Sequence, residues 1–295
     1  MKKISILILL AVLAVTSWHC GEESSEQDVQ QGDISDEVSL QPDKDKTIQE
    51  YNLEQRKKVT TKRYNCDTIA LMEYILANYD QGTYLMEFDK RNKYQIPPAA
   101  VIYTKDQGQQ FVLAVFARSR PEEKAWPNDI LIEPKTAIGY DASFNDLDST
   151  RMLGTPFLYL KLLRCETDNN FTEIWSAPIP RHGGFNWITM ERWKDKNIPY
   201  LKANFHYARG VGHFDFNYFF IRGLQQRPHL LLTYEGINFS RVMVNLDNDL
   251  FPDFEEAVFL DTGDRLEELE RYSFTWSEKD SLYVNTKNKR MTIPY

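Results

Sequence analysis

Cysteine and histidine are scarce in this sequence, which limits the catalytic and metal sites that it can build. Three cysteines and five histidines occur among 295 residues, and their spacing assembles no Ser-His-Asp or Cys-His set. Helical periodicity is scarce as well, and this argues against alternating βαβ units. The sequence therefore gives no activity directly. Its informative features are an N-terminal leader, many strand patterns and one acidic loop.

The N-terminal leader predicts export. Lys2 and Lys3 precede the apolar run Ile4–Val15, which is too short to span a bilayer comfortably and is typical of a signal peptide over residues 1–19. The position of Cys20 resembles the lipidated first residue of a mature bacterial lipoprotein. Residues 17–19 (Ser-Trp-His) depart from the usual lipobox, and cleavage after Ser17 without lipidation is the alternative.

An acidic segment follows the leader and predicts a disordered tether over residues 20–60. Between Gly21 and Glu50 there are ten acidic residues and two lysines, with few apolar residues that could offset the ordering entropy. Glu22 and Glu23 resemble the surface-export signal of some bacterial lipoproteins, and a solvated spacer is the alternative. The predicted location is the cell envelope, as an outer-membrane lipoprotein with a lipid anchor in the membrane.

The remaining chain is nearly neutral. The leader lysines contribute +2 and the segment after them −8, so residues 51–295 carry only −2 of the formal net charge of −8. A charge this small gives no reason to expect a nucleic-acid partner.

The sequence pattern of residues 64–295 predicts a mainly β domain with one N-terminal helix. The helix is expected in "CDTIALMEYILANYDQG", with Asp67 as its N-cap and Gly82 beyond its end. Almost everything after it consists of short, aromatic and β-branched segments such as "QQFVLAVFA" and "FDFNYFFI", separated by turn residues.

Two similar units follow one another, over residues 157–206 and 214–260. Each has the pattern of four strands with a polar loop between the third and fourth, "KDKNIP" in the first unit and "LDNDLFP" in the second. Such a unit cannot bury both of its faces alone, so we expect it to stack on a neighbour.

The second unit resembles an FG-GAP/VCBS-type repeat, whose blades carry a D-x-D-x-D-G-x-x-D calcium loop in β-propellers. The resemblance implies blade-like four-stranded units in a partial or small propeller, and a β-sandwich is the alternative. It also implies a set of calcium ligands in this chain: Asn245, Asp247, Asp249, Phe251 through its carbonyl, and Asp253. The first unit has Lys194 and Lys196 where acids would be needed, so its loop is expected not to bind calcium.

The physical chemistry of the acidic loop favours a weak, structural calcium site. Calcium prefers six to eight oxygen ligands, and carboxylates crowded without a cation repel one another. Two departures weaken the site: Asn245 replaces the usual aspartate and Leu250 the usual glycine. A left-handed turn at Leu250 would cost roughly 1 kcal/mol or more. A polar turn without metal is the alternative.

Cysteines and tryptophans of the domain leave structural alternatives open. Cys66 and Cys165 are the only cysteines after Cys20, and they form either a disulfide, which export permits, or two buried free thiols. Tryptophans such as Trp187 and Trp276 either stack against sugars or, as we expect of aromatics on strands, pack in the core.

Two classes of function fit these features. The first is a non-catalytic, calcium-supported binding module on the bacterial envelope, with a protein or glycan partner. The second is an envelope hydrolase for polysaccharide or phosphoester, with its acids among Asp141, Asp146 and Asp148 or its site at His206 and His213. A deep pocket that gathers these acids or histidines favours the enzyme.

Lipidation predicts a simple fractionation result. The Cys20→Ser variant cannot carry the lipid, so it should move from the membrane fraction to the soluble fraction after cell lysis. Membrane association that is unchanged in the variant, with no lipid on the mature N-terminus of the parent, would contradict this prediction.

Overall fold

The computed structural model describes residues 42–80, 82–87, 98–118, 157–179, 184–206 and 212–294. The predicted leader, Cys20 and the first part of the predicted tether lie outside these ranges. Within them, no helix is both long and apolar enough to cross a membrane.

Helix α2 (Thr68–Asn78) confirms the helix expected from the sequence. Its N-cap is Asp67, whose Oδ1 accepts a hydrogen bond of 2.9 Å from the backbone N–H of Ala70. This bond satisfies one of the N–H groups that the first turn of any helix leaves without an internal partner. Ile69, Met72 and Ile75 are buried on its inner face.

A further helix, α1 (Pro42–Val59), differs from the predicted disorder of residues 20–60. Leu53 of α1 is 4% exposed. On the same helix, Asn52 Nδ2 and Arg56 Nη2 donate to the carboxylate of Glu87 at 2.8 and 2.5 Å. The helix is largely polar, but one buried leucine and a half-buried ion pair attach it to the domain. The described part of the chain thus has two helices before its main strands instead of one.

In the described ranges, fourteen strands form two antiparallel sheets. The first sheet contains β1 (Thr83–Leu85), β2 (Val101–Asp106), β3 (Gln109–Arg118), β4 (Phe157–Cys165) and β5 (Phe171–Ile179). The second contains β6 (Gly184–Trp193), β7 (Ile198–His206), β8 (His213–Phe219), β9 (His229–Glu235), β10 (Phe239–Val244), β11 (Asp253–Asp261), β12 (Leu266–Ser277), β13 (Leu282–Asn285) and β14 (Thr292–Pro294).

The first sheet is covered on both faces. Successive side chains of a strand point to opposite faces, and β3 uses both. Val112, Ala114 and Phe116 pack with α2, whereas Leu113 and Val115 belong to the core shared with the second sheet. The two sheets therefore pack against each other as in a β-sandwich, and neither is closed.

The second sheet is a meander in which every strand pairs with the next one in the chain. Strands β9 and β10 share only two register pairs, Glu235 with Ser240 and Tyr234 with Arg241. Beyond this short pairing, aromatic residues of β11–β13 pack on the face of β7–β9 that is turned away from the first sheet. This cluster includes Tyr200, Phe219, Leu231, Phe254, Phe274 and Tyr283.

Cys66 and Cys165 form a disulfide that joins the start of α2 to the end of β4, across 99 residues. Both cysteines are buried. Of the two alternatives left open by the sequence, the structure has the paired one.

The two sequence units each contain four consecutive strands, with the polar loop between the third and fourth. In the first unit, however, β4 and β5 belong to the first sheet whereas β6 and β7 belong to the second. This unit is therefore not a four-stranded blade. The reason is that sheet pairing is decided by which strands meet in space, and a local strand pattern does not contain that information.

Docking of α1 can be tested by a single truncation. Leu53→Ala removes buried methyl groups and should lower the free energy of unfolding by about 2 to 4 kcal/mol. Tyr51 lies two residues away on the same helix and is 63% exposed, so Tyr51→Ala should change it by less than about 0.5 kcal/mol. Urea melts of the two variants measure the difference, and equal small effects would show that α1 does not dock.

Candidate functional site

The predicted calcium loop lies at one end of the second sheet, between β10 and β11, with Asp253 as the first residue of β11. The turn between β6 and β7 reaches it from the side. There, Lys196 Nζ donates to the backbone oxygen and to Oδ1 of Asn248, at 2.6 and 2.5 Å. The polar loops of the two sequence units are thus in direct contact.

Asp253 is the buried centre of the loop, with no exposed surface. Its Oδ2 accepts the backbone N–H of Leu246 at 2.7 Å, and its Oδ1 accepts that of Trp276 on β12 at 3.2 Å. Burial raises the pKa of Asp253 to about 6; the Leu246 N–H opposes this rise, and the nearby charge of Asp247 adds to it. The carboxylate therefore fixes the loop to the neighbouring strand and still lacks a cationic partner among the described residues.

Asp247 and Asp249 fold the loop on itself. Asp247 Oδ1 accepts the backbone N–H of Asp249 at 3.1 Å, and Asp249 Oδ1 accepts that of Phe251 at 2.7 Å. Each is the side-chain-to-backbone bond with which aspartate commonly stabilises a turn. Burial raises the pKa of Asp249, because a less hydrated carboxylate holds its proton more tightly.

The sharp turn of this loop is at Asn248, and the expectation that it falls at Leu250 is wrong. Asn248 has a φ of 64°, and Leu250 is not among the residues with positive φ. Asparagine adopts the left-handed region more readily than a bulky residue does, so no strain arises at Leu250, whose side chain is 59% exposed.

Two observations bear on metal binding in opposite directions. Among the described residues, no three His, Cys, Asp or Glu side chains are grouped as metal ligands would be. Yet Asn245 Oδ1, the first of the expected ligand atoms, is buried without a hydrogen-bond partner in the same part of the chain. A buried acceptor without a donor is costly, and a cation would satisfy it. The five residues thus share one loop, and calcium binding stays a prediction.

A cleft of about 520 Å³ opens beside the loop. Phe251 of the loop, His229 of β9 and Trp276 of β12 line it, together with the more peripheral Arg222 and Arg227. The His229 and Trp276 rings have centroids 4.6 Å apart, and those of Phe251 and Trp276 are 6.0 Å apart. Sequence reasoning missed this cleft, because its walls come from three separate turns and from the strands beside them.

His229 is held in the cleft wall by a short chain of hydrogen bonds. The hydroxyl of Tyr283 lies 2.8 Å from His229 Nε2 and donates to the carbonyl of Pro252 at 3.1 Å. Since this hydroxyl has a single hydrogen, His229 Nε2–H must be the donor to Tyr283. Burial lowers the pKa of His229 to about 3, so the ring is neutral when it makes this bond.

The residues of the hydrolase alternative are only partly described. Asp141, Asp146 and Asp148 lie outside the described residues, as does the side chain of His206. His206 and His213 are register partners on β7 and β8, and His213 Nε2 is 3.9 Å from Asp215 Oδ2. Asp215 also accepts from Asn204 Nδ2 at 2.5 Å and lies 3.6 Å from Lys202 Nζ. Of the described side chains in this group, neither His213 nor Asp215 lines the cleft described above.

The four tryptophans within the described residues divide between core and surface. Trp175 and Trp193 are 7% and 4% exposed and belong to the core, as expected, whereas Trp187 is 39% exposed. Trp276 packs against the aromatic cluster between β7–β9 and β11–β13 and also lines the cleft.

The depressed pKa of His229 predicts an acid-dependent loss of stability. Between about pH 6.5, the ordinary pKa of histidine, and about pH 3, the pKa of His229 in the folded protein, this side chain is protonated in the unfolded chain and neutral in the folded one. The free energy of unfolding should therefore fall by about 1.4 kcal/mol per pH unit in that window. His229→Phe removes this term, whereas the opposite term from Asp253 is present in both proteins and cancels. Urea melts at pH 4, 5, 6 and 7 give the difference; parallel pH profiles for the two proteins would contradict it.

Comparison with known proteins gives no indication of what this chain does. No family model, no curated protein and no solved structure matches the chain. What the chain does must therefore be inferred from the loop and the cleft themselves.

Proposed function

We propose that this protein is a calcium-supported, non-catalytic binding module held on the bacterial cell envelope by a lipid at Cys20. The observation that carries the proposal is the physical connection between the acidic loop and the cleft. Phe251 belongs to the loop and lines the cleft, and Trp276 lines the cleft while its backbone N–H bonds to Asp253. An ion in the loop would therefore hold two of the residues that a ligand would touch.

Calcium suits the oxygen atoms of this loop. Asn245 Oδ1 is buried and has no hydrogen-bond donor among the described residues, and Asp253 is a fully buried carboxylate. The hard oxygen ligands that calcium prefers are carboxylates, amide carbonyls and backbone carbonyls, and all three kinds occur between residues 245 and 253. The resemblance of this loop to the calcium loops of FG-GAP/VCBS-type repeats supports the same ion.

Two features make the proposed site weak. The carboxylates of Asp247 and Asp249 already accept backbone hydrogen bonds, which they would have to give up or share. The ammonium of Lys196 lies against Asn248, and its positive charge competes with a cation. Weak sites of this kind suit the millimolar calcium outside cells, in agreement with an exported protein.

The proposed location is supported by the sequence. A basic N-terminus, a short apolar run and Cys20 form a lipoprotein-like leader, and the acidic segment after Cys20 would keep the folded domain away from the membrane. Helix α1 shortens this spacer, because the domain already begins near Pro42.

Thermal melts with and without calcium test the proposed ion. Calcium that binds only the folded protein at a hundred times its dissociation constant should add about 2.7 kcal/mol, which corresponds to several degrees. Asp249→Asn preserves the acceptor for Phe251 N–H but removes a charge, so most of the shift should disappear. Asn245→Asp restores the usual acidic ligand and should enlarge the shift.

Asp261 provides the matched control. Its Oδ1 accepts the N–H of Gly263 at 2.8 Å in the same kind of turn, outside the loop, so Asp261→Asn should keep the full calcium shift. A parent protein that melts at one temperature in chelator and in millimolar calcium, or an Asp249→Asn variant with an intact shift, would rule out the site.

A further inference from the structure

The wall of the cleft nearest the core is aromatic. Phe251, His229 and Trp276 line it, and the planes of Phe251 and Trp276 are inclined by only 36°. One face of a pyranose ring consists largely of C–H groups, which are apolar and slightly positive. Such a face packs favourably on the negative face of an aromatic ring.

The outer part of the cleft is charged. Arg222 forms an ion pair with Glu278, and both line the cleft. Arg227 also lines it, and no acidic side chain in the described part of the chain pairs with Arg227. The cleft thus presents one guanidinium in excess, and a guanidinium offers a planar pair of donors that matches a carboxylate.

The dimensions fit a ligand of one or two sugar rings. A volume of about 520 Å³ lies within the usual range of about 300 to 1,000 Å³ for small-molecule sites. Glu278 and Ser281 add hydrogen-bonding groups at the rim, and sugar hydroxyls require partners of this kind.

We propose that the cleft binds a sugar acid, with the carboxylate on Arg227 and the apolar ring face against Phe251 and Trp276. This inference deepens the binding function proposed above and names its ligand class. The ligand needs a carboxylate and an apolar ring face, and the protein needs exposure to glycans. No reaction at the site is involved.

Isothermal titration of the whole mature protein with defined sugars tests the inference. The probes are digalacturonate, glucuronate and N-acetylneuraminate, each compared with its methyl ester, which has the same rings without the charge. At least one acid should bind at least tenfold more tightly than its ester. Failure of all three acids to bind at millimolar concentration, or equal affinities of acid and ester, would overturn the inference.

Variants locate the binding. Arg227→Gln should weaken the acid at least tenfold and leave the binding of the ester unchanged, because Arg227 is exposed and only its charge is removed. Arg265, an exposed arginine on the turn between β11 and β12 that pairs with Glu267, provides the matched control, and Arg265→Gln should bind like the parent. Equal affinities of the two variants for the acid would place the ligand elsewhere and overturn the inference.

Adenosine monophosphate serves as a competing probe, because a base on Trp276 and a phosphate on Arg227 use the same groups. Its binding in preference to every sugar acid would overturn the inference. Titrations in calcium and in chelator separate the two proposals. A calcium-dependent melting shift without any sugar binding would reject the sugar acid alone, and sugar binding without a calcium shift would reject the calcium site alone.

Discussion

Burial of β7 and β8 on both faces is the constraint on which the rest of the structure depends. On β8, Phe216 and Phe219 point to opposite faces, and they are 1% and 0% exposed. The first packs toward the first sheet and the second toward β11–β13. Full burial of one such side chain stabilises the fold by roughly 1.5 to 3 kcal/mol, so neither covering layer could be removed without exposing a large apolar surface.

The position of the site follows from this arrangement. Consecutive antiparallel strands bring alternate turns back to the same end of a sheet, where Lys196 meets Asn248 and Arg222 meets Glu278. The aromatic cluster between β7–β9 and β11–β13 reaches this end as well. The cleft is the place where that cluster opens to solvent between charged turns, which explains why it combines aromatic walls with a polar rim.

Local features could be predicted from the sequence, and long-range ones could not. The N-cap at Asp67 and the apolar spacing of α2 lie within one short segment, as does the alternation that predicts each strand. Helix α1 escaped prediction because its sequence is largely polar, and among the described side chains of the helix, residues 50–59, Leu53 is the one buried apolar residue. The division of the first unit between two sheets depends on contacts that no single segment encodes.

The candidate site shows the same limit at smaller scale. The five expected ligand residues lie close together because they are close in sequence, from Asn245 directly after β10 to Asp253 at the start of β11. The expected position of the sharp turn was wrong, since Asn248 and not Leu250 has the positive φ. The cleft could not be predicted from the sequence, because its lining residues Arg227, Phe251 and Trp276 are separated by about 25 residues from one to the next.

The disulfide between Cys66 and Cys165 determines how the chain responds to proteolytic cleavage. It closes a ring that contains the first sheet up to the end of β4, whereas the loop and the cleft lie beyond it. A protease that cuts once anywhere inside the ring cannot release a fragment, because both pieces stay linked through sulfur. The protein would therefore survive a single nick between residues 66 and 165 as one molecule, and only a reductant would separate the parts.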